Sequence, residues 1–284
     1  MLGAVPSVAS LPTSLRDALR AGADLELAAV DTRSTPGIGG KAEAAAARGG
    51  IAERLDELQE RLFAEGTRSL LLILQGMDTS GKGGTIRHVV TALNPAWVDV
   101  AAFRKPTDEE LAHHFLWRIE RRLPGPGGVT VFDRSHYEDV LVVRVHGLVP
   151  PEALPTRYDE IDAFERRLTE AGTTVVKCML HISRSEQKER LLARLDDPTK
   201  HWKFREGDID ERARWDAYQE AYADAIRRCS TDVAPWYVVP ADRKWYRNWA
   251  IAQLLLETLE DMDPRYPPST LDVPRLRKRL ADER

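Results

Sequence analysis

The sequence predicts an α/β protein: a three-layer αβα sandwich with a mostly parallel sheet and helices on both faces. Three observations carry that expectation. Short apolar, β-branched segments alternate with amphipathic helical ones along the 284 residues. One such segment, 70–74, runs straight into a glycine-rich loop and then a helical stretch. Polar residues gather where apolar segments end, at Gly76 and again at Asp133. In parallel sheets, ligands sit at the carboxyl ends of strands.

Taken in order, residues 1–50 are rich in Ala, Gly, Ser and Pro, and 35–41 and 48–50 read as breakers. They predict an arm with one short helix packed on the body. Ile51, Leu55, Leu58 and Leu62 share one face of a helix over 51–63. The strand 70–74, its loop and a helix to about 93 follow. Residues 97–103 alternate weakly and predict a second strand. Thr107 and Glu110 form a capping box that opens a helix through 122, ended by the Pro/Gly run at 123–128. Residues 129–132 are a third strand, and Asp133 ends it. Pro150-Pro151 precedes a helix over about 152–171. Residues 173–182 are a β-branched strand, and Ser183 with Glu186 caps the next helix. A last strand is expected at 236–239 and a final amphipathic helix at 246–261. The expected division is an arm at 1–50, a body at 51–263 with a lid at about 184–216, and a polar surface tail at 264–284.

Composition narrows the function classes. At 43% hydrophobic residues the chain buries a sizeable core. No apolar run reaches the roughly 18 residues of a membrane span, and the first residues lack the charged and apolar regions of a secretory leader. Cys178 and Cys229 alone make neither a disulfide framework nor a zinc site, which predicts a cytoplasmic protein. A net charge of −4 argues against nucleic acid as a partner. Locally the balance reverses: residues 184–205 hold seven Lys/Arg against four acids.

The loop Gly76-x-x-x-x-Gly81-Lys82 has the spacing of a phosphate-binding P-loop. Glycines let the backbone wrap an anion, the helix N-terminus adds partial positive charge, and Lys82 reaches the phosphates. Gly76, Ser80, Gly81, Gly83, Gly84 and Thr85 are the candidate phosphate-binding residues. The match departs from the usual pattern at Gly83, where a Ser or Thr normally offers Mg²⁺ a hydroxyl. Asp78, inside the loop, is a candidate to replace it, because a carboxylate facing phosphates needs a cation between them. Asp133, at the end of an apolar strand, suits the same metal. Arg134 either holds a phosphate bidentately or pairs with Glu138 or Asp139. His136 reads as a structural hydrogen-bonder. Arg190 and Arg194 share a helix face, and Lys200 and Lys203 follow a break at Asp197-Pro198. That basic segment suits a lid closing over a phosphate donor. Arg104, Lys105 and Arg118 are candidates for an acceptor. Together these features point to phosphoryl transfer on a P-loop kinase-like fold with a basic helical lid.

The same residues resemble the second family of polyphosphate kinases. Gly76 through Gly84, Asp133 through His146, and the segment from Glu186 to Trp215-Asp216 each resemble a family motif, in the right order, over roughly 50–262. The resemblance implies Mg²⁺-dependent, reversible transfer between inorganic polyphosphate and adenine or guanine nucleotides. ADP would become ATP and AMP would become ADP, with Mn²⁺ able to stand in for Mg²⁺. It implies that Lys82 and the loop amides hold phosphate, and that Asp78 and Asp133 hold metal. Arg134 would bridge phosphates, Arg190, Arg194, Lys200 and Lys203 would grip the chain, and Arg104, Lys105, Arg118 and Glu138 would serve the acceptor. A homo-oligomer is expected, with no membrane partner. Two other readings of the residues stay open: a nucleotide kinase with ATP as donor, and a non-catalytic phosphate binder.

Overall fold

Five strands form one sheet: β1 (Ser69–Gln75), β2 (Val98–Ala102), β3 (Val129–Asp133), β4 (Thr173–His181) and β5 (Trp236–Pro240). Their order is β2-β3-β1-β4-β5, with all four pairings parallel. The computed structural model describes residues 14–283; the start of the sequence, read above as no secretory leader, lies largely outside them. β1 is central and buried along its whole length, which is why it reads as an unbroken apolar run. Leu70, Leu72 and Leu74 face one layer and Leu71 and Ile73 the other, as the two-residue period of a strand requires.

The helices are α1 (Leu15–Leu19), α2 (Lys41–Glu65), α3 (Lys82–Val90), α4 (Asp108–Leu111), α5 (Trp117–Glu120), α6 (Glu138–Val145), α7 (Leu154–Glu170), α8 (Arg184–Leu195), α9 (Gly207–Ala213), α10 (Trp215–Cys229), α11 (Lys244–Met262) and α12 (Val273–Asp282). The larger core takes in strand residues from both faces of the sheet, including Leu70, Leu72 and Leu74 on one and Met179 on the other, together with α2, α6, α10 and α11. The smaller packs Phe103, Ile119, Phe132 and Phe164 around Leu71 and Ile73. Among the described residues, no helix is long and apolar enough to cross a membrane.

Topology places the site. From β1 the chain moves first to β2 and β3 on one side, then to β4 and β5 on the other. β1 therefore lies at the switch point, where the crevice of such sheets opens. Leu74 registers with Asp133, so the loop after β1 and the acid ending β3 emerge side by side.

The structure departs from expectation in four places. α2 starts at Lys41, so the expected boundary at 50 falls inside it and Gly49-Gly50 does not break it. Each glycine costs about 1 kcal/mol relative to Ala, but the run Ala44 to Ala47 favours helix and Ile51, Leu55, Leu58 and Leu62 are buried. The single helix expected over 107–122 is two short ones. The Thr107 capping box is present, yet the His114 ring accepts from the Leu116 N–H at 3.4 Å and restarts the chain so that Leu116 and Ile119 turn into the core. α10 was not foreseen. The surface tail ends in an exposed helix, α12, with no buried residue.

Candidate active site

The loop after β1 owes its shape to three left-handed residues: Gly76 (φ +149°), Thr79 (φ +66°) and Gly81 (φ +103°). A Cβ on Gly76 would lie 2.7 Å from the Leu180 carbonyl oxygen, so only glycine fits. α3 begins at Lys82 with no side chain capping it. The first-turn N–H groups are thus left for an anion, with the helix dipole behind them. The Lys82 Nζ is buried and donates to the Gly76 carbonyl at 2.7 Å. Burial first, and then the neighbouring Arg134, hold its pKa below the ordinary lysine value. The Thr79 and Ser80 hydroxyls are buried without a protein partner. Such orphans are rare unless something absent satisfies them.

The β3 end supplies the second half. Arg134 sits at φ +67°, a conformation costing a non-glycine residue about 1–2 kcal/mol. It is held there by its N–H on the Leu74 carbonyl at 3.0 Å. Its guanidinium meets Asp78 Oδ1 at 3.2 Å, so it pairs across to the loop rather than with Asp139. Glu138, at the start of α6, is half-buried. Burial raises its carboxyl above the usual range, against the pull of Arg134 and Lys82. The Gln75 amide reaches Glu138 Oε1 at 3.0 Å when its nitrogen is assigned to that side. Asp78, Asp133 and Glu138 all act on both Lys82 and Arg134, so the structure brings these five charges into one site.

This donor set fits a hard divalent cation: two part-exposed carboxylates, Asp78 and Asp133, beside orphaned hydroxyls. Among the described residues no group of three or more His, Cys, Asp or Glu could hold a metal alone. A cation here would complete its shell with phosphate oxygens and water, as Mg²⁺ prefers.

A buried polar network props up the β3–α6 turn. Lys177 on β4 donates to the Tyr137 hydroxyl at 2.8 Å, to Glu165 of α7, and to the Cys229 carbonyl at 2.6 Å. Glu165 also takes the Tyr137 hydroxyl at 2.9 Å and meets His136 Nε2 at 3.2 Å. Burial alone would raise the Glu165 pKa, but Lys177 and His136 outweigh it and hold it down. His136 is therefore the structural hydrogen-bonder expected of it.

Comparison with known proteins decides the family. Residues 40–267 match the family described as Polyphosphate kinase 2 (PPK2). The chain belongs to the polyphosphate kinase 2 family. It is 52% identical over 229 residues to an AMP/ADP-polyphosphate phosphotransferase of Meiothermus ruber, covering 81% of this chain and 86% of that one. An ADP-polyphosphate phosphotransferase of Rhodopseudomonas palustris is 43% identical over 244 residues, covering 82% and 83% of the two chains. A crystal structure of polyphosphate kinase 2 from Arthrobacter aurescens superposes with a TM-score of 0.93 at 51% identity, over 98% of this chain and all of that one.

In this polyphosphate kinase 2 family member, three residues stand differently from their predicted roles. Arg190 is buried, and its N–H groups meet Glu186, the carbonyls of Thr79 and Ser80, and those of Ala241 and Asp242. It is bonded to the underside of the loop and does not reach outward to grip a chain. Arg118 is likewise buried, over the Phe103 ring, and donates to the Arg104 carbonyl at 2.9 Å. It props the segment bearing exposed Arg104 and Lys105 rather than meeting an acceptor itself. Thr85 donates its hydroxyl to Asn248 of α11 at 3.4 Å and its N–H to the Gly81 carbonyl, so both of its donors are already engaged. Arg194, at the end of α8, is part-exposed, and Lys200 and Lys203, in the turn that follows, are exposed, within the segment expected to form a lid. Sequence reasoning missed Tyr222, whose hydroxyl accepts the Gly76 N–H at 3.1 Å, and Gln187, which donates to the Asp78 carbonyl at 3.3 Å. It also missed Lys177, though a lysine inside the apolar run Val175 to Met179 was a visible signal.

Proposed function

We propose that this chain transfers phosphoryl groups reversibly between inorganic polyphosphate and nucleotides, making ATP from ADP and ADP from AMP. The carrying observation is the joining of an uncapped P-loop with two metal-capable carboxylates and Arg134 at one strand-end crevice. The reaction class comes with the family. Its extension to AMP rests on the high identity to a relative named for both acceptors. Lys82 and the first-turn amides of α3 bind and orient the transferred phosphate. Arg134 spans from β3 to the loop and steadies charge as the phosphoryl group passes. Asp78 and Asp133 would hold Mg²⁺, or Mn²⁺ in its place, which when bound neutralises developing charge on the phosphate oxygens. Positioning and charge neutralisation carry most of such a transfer, so no strong general base is required. Lys200, Lys203 and Arg194 would draw polyphosphate toward the mouth, and exposed Arg104 and Lys105 would meet the acceptor. The reading extends to guanine nucleotides and to a cytoplasmic homo-oligomer, which the two free buried thiols suit.

Product formation tests it. Purified protein with Mg²⁺ is offered AMP, ADP or no nucleotide, each with long-chain polyphosphate or with ATP. The expected result is ATP from ADP plus polyphosphate, and ADP then ATP from AMP. Turnover with ATP as the sole usable donor would defeat the proposal in favour of an ordinary nucleotide kinase.

A further inference from the structure

Two arginines approach the phosphate loop from the side opposite its mouth. Arg190 of α8 donates to the carbonyls of Thr79 at 2.8 Å and Ser80 at 3.1 Å. Arg247 of α11 donates to the same Ser80 carbonyl at 2.9 Å. One carbonyl oxygen thus accepts from two guanidiniums. Both side chains are buried, Arg247 at 4% exposure. Arg247 lies so close under the loop that a Cβ on Gly81 would fall 1.8 Å from its Nη1, and one on Gly84 3.4 Å from its Nη2. Gly81 therefore suits both the loop's curvature, with its φ of +103°, and the guanidinium beneath it, whereas a Cβ on Gly84 would make only an ordinary contact.

The charges of the pair are unequally met. Arg190 has Glu186 on its Nε at 2.7 Å. The other partner of Arg247 is the neutral Asn248 amide, at 3.2 Å and 2.9 Å, and among the described residues no carboxylate pairs with it. Burial first, and then Arg190, push its pKa down to about 10. A like-charge pair in a dry site is costly unless an opposite charge compensates it. Hydrogen bonds to loop carbonyls do not supply a full negative charge. The uncapped N-terminus of α3, on the concave side of the same loop, offers a place for one.

We propose that Arg247, with Arg190, is a positioning residue for phosphate binding: it holds the loop carbonyls outward and sets fixed positive charge behind the bound anion. The inference rests on the loop being the anion site of the proposed reaction. On this account the protein without phosphate carries an uncompensated charge there, which bound phosphate relieves. Arg247 touches neither substrate nor reacting atoms and acts through Ser80, Gly81 and Gly84.

The test compares wild type with Arg247→Gln, which keeps a donor for Ser80 and removes the charge, and Arg247→Lys, which keeps the charge. Binding of magnesium tripolyphosphate is measured by calorimetry and thermal shift, and turnover by initial rates. Arg247→Gln should melt no lower than wild type without ligand. Its tripolyphosphate Kd and its polyphosphate KM should rise about tenfold, with the ADP KM nearly unchanged. Arg247→Lys should recover most of that affinity. Wild-type affinity in Arg247→Gln would overturn the proposal. So would an equal loss of ligand-free stability in both variants with the ligand-induced shift intact, since that is the mark of a purely structural role. Failure of wild type to bind tripolyphosphate would instead remove the anion site itself, and this inference with it.

Discussion

The underside of the phosphate loop and the segment proposed as a lid both carry cationic side chains, under opposite conditions. Below the loop, Arg190, Arg247, Gln187 and Tyr222 are buried and bonded to loop backbone, leaving them no freedom to follow a substrate. On the lid, Trp202 is 77% exposed with the Lys203 ammonium over its ring, Lys200 pairs with its near neighbour Asp197, and Arg194 lies 3.6 Å from Asp208. The Lys200 pair and the Trp202–Lys203 contact are local and solvent-exposed, and cheap to exchange for phosphate oxygens, while the Arg194 pair is partly covered. On the proposed function, one set of cations would give the transferred phosphate a fixed cradle, and the other would be free to meet a polymer whose register changes at every turnover. The difference lies in which N–H groups are already taken, and residue type alone does not reveal it.

The largest effect should come from the cradle itself. Lys82→Ala and Asp133→Ala should each lower kcat about 10²-fold or more, the scale of removing one transition-state charge stabiliser. Initial rates with ADP and polyphosphate measure this. Near-wild-type turnover in either variant would mean that the fixed cradle is not where chemistry occurs.

A second test goes beneath the turn that carries Asp133 and Arg134. Lys177→Met leaves Glu165 buried without its cation, and should cost about 3–5 kcal/mol of unfolding free energy. The double variant Lys177→Met, Glu165→Leu should recover much of that, because an apolar pair of similar volume removes both charges. Denaturant melts of the three proteins decide it. A cost below about 1 kcal/mol for Lys177→Met would show that the network is not what holds the turn.

What could be read from the chain follows the same division. β1, its loop and Asp133 were legible because each is local: an apolar run, a glycine spacing, an acid at a strand end. The parallel sheet followed from alternation. The family resemblance implies that Arg190 grips polyphosphate, and its spacing from Arg194 gives only a shared helix face, whereas what lies against that face is set by chain 110 residues away at Ser80. Arg247 reaches Ser80 across 167 residues and gave no local sign at all. The start of α2 was missed because glycine propensity is weak against the burial of Leu55, Leu58 and Leu62. α4 and α5 were read as one helix because a capping box marks where a helix begins, not how far it runs.

On the lid the effects should be smaller and depend on salt. Lys200→Ala with Lys203→Ala should raise the polyphosphate KM roughly fivefold at low ionic strength, and the difference should shrink as salt screens it. The kcat should change little, because these ammoniums draw the chain in and do not hold the reacting phosphate. Equal losses in kcat and KM, insensitive to salt, would place Lys200 and Lys203 with the fixed cradle and erase the contrast between the two regions.

The smallest expected effect concerns Gly83, where the loop departs from the usual pattern. Unlike Gly76 and Gly81 it has no left-handed φ, and a Cβ there would meet nothing within 4 Å. The protein itself therefore does not require glycine at this position. Gly83→Ser removes backbone freedom from the unfolded chain and should raise stability by about 0.4–1 kcal/mol. If Asp78 already serves the cation, the added hydroxyl is redundant and turnover should stay within about twofold of wild type. A stabilised protein whose turnover falls tenfold would mean that bound phosphate occupies the open space above Gly83. The missing side chain would then belong to the cradle as firmly as the arginines beneath it.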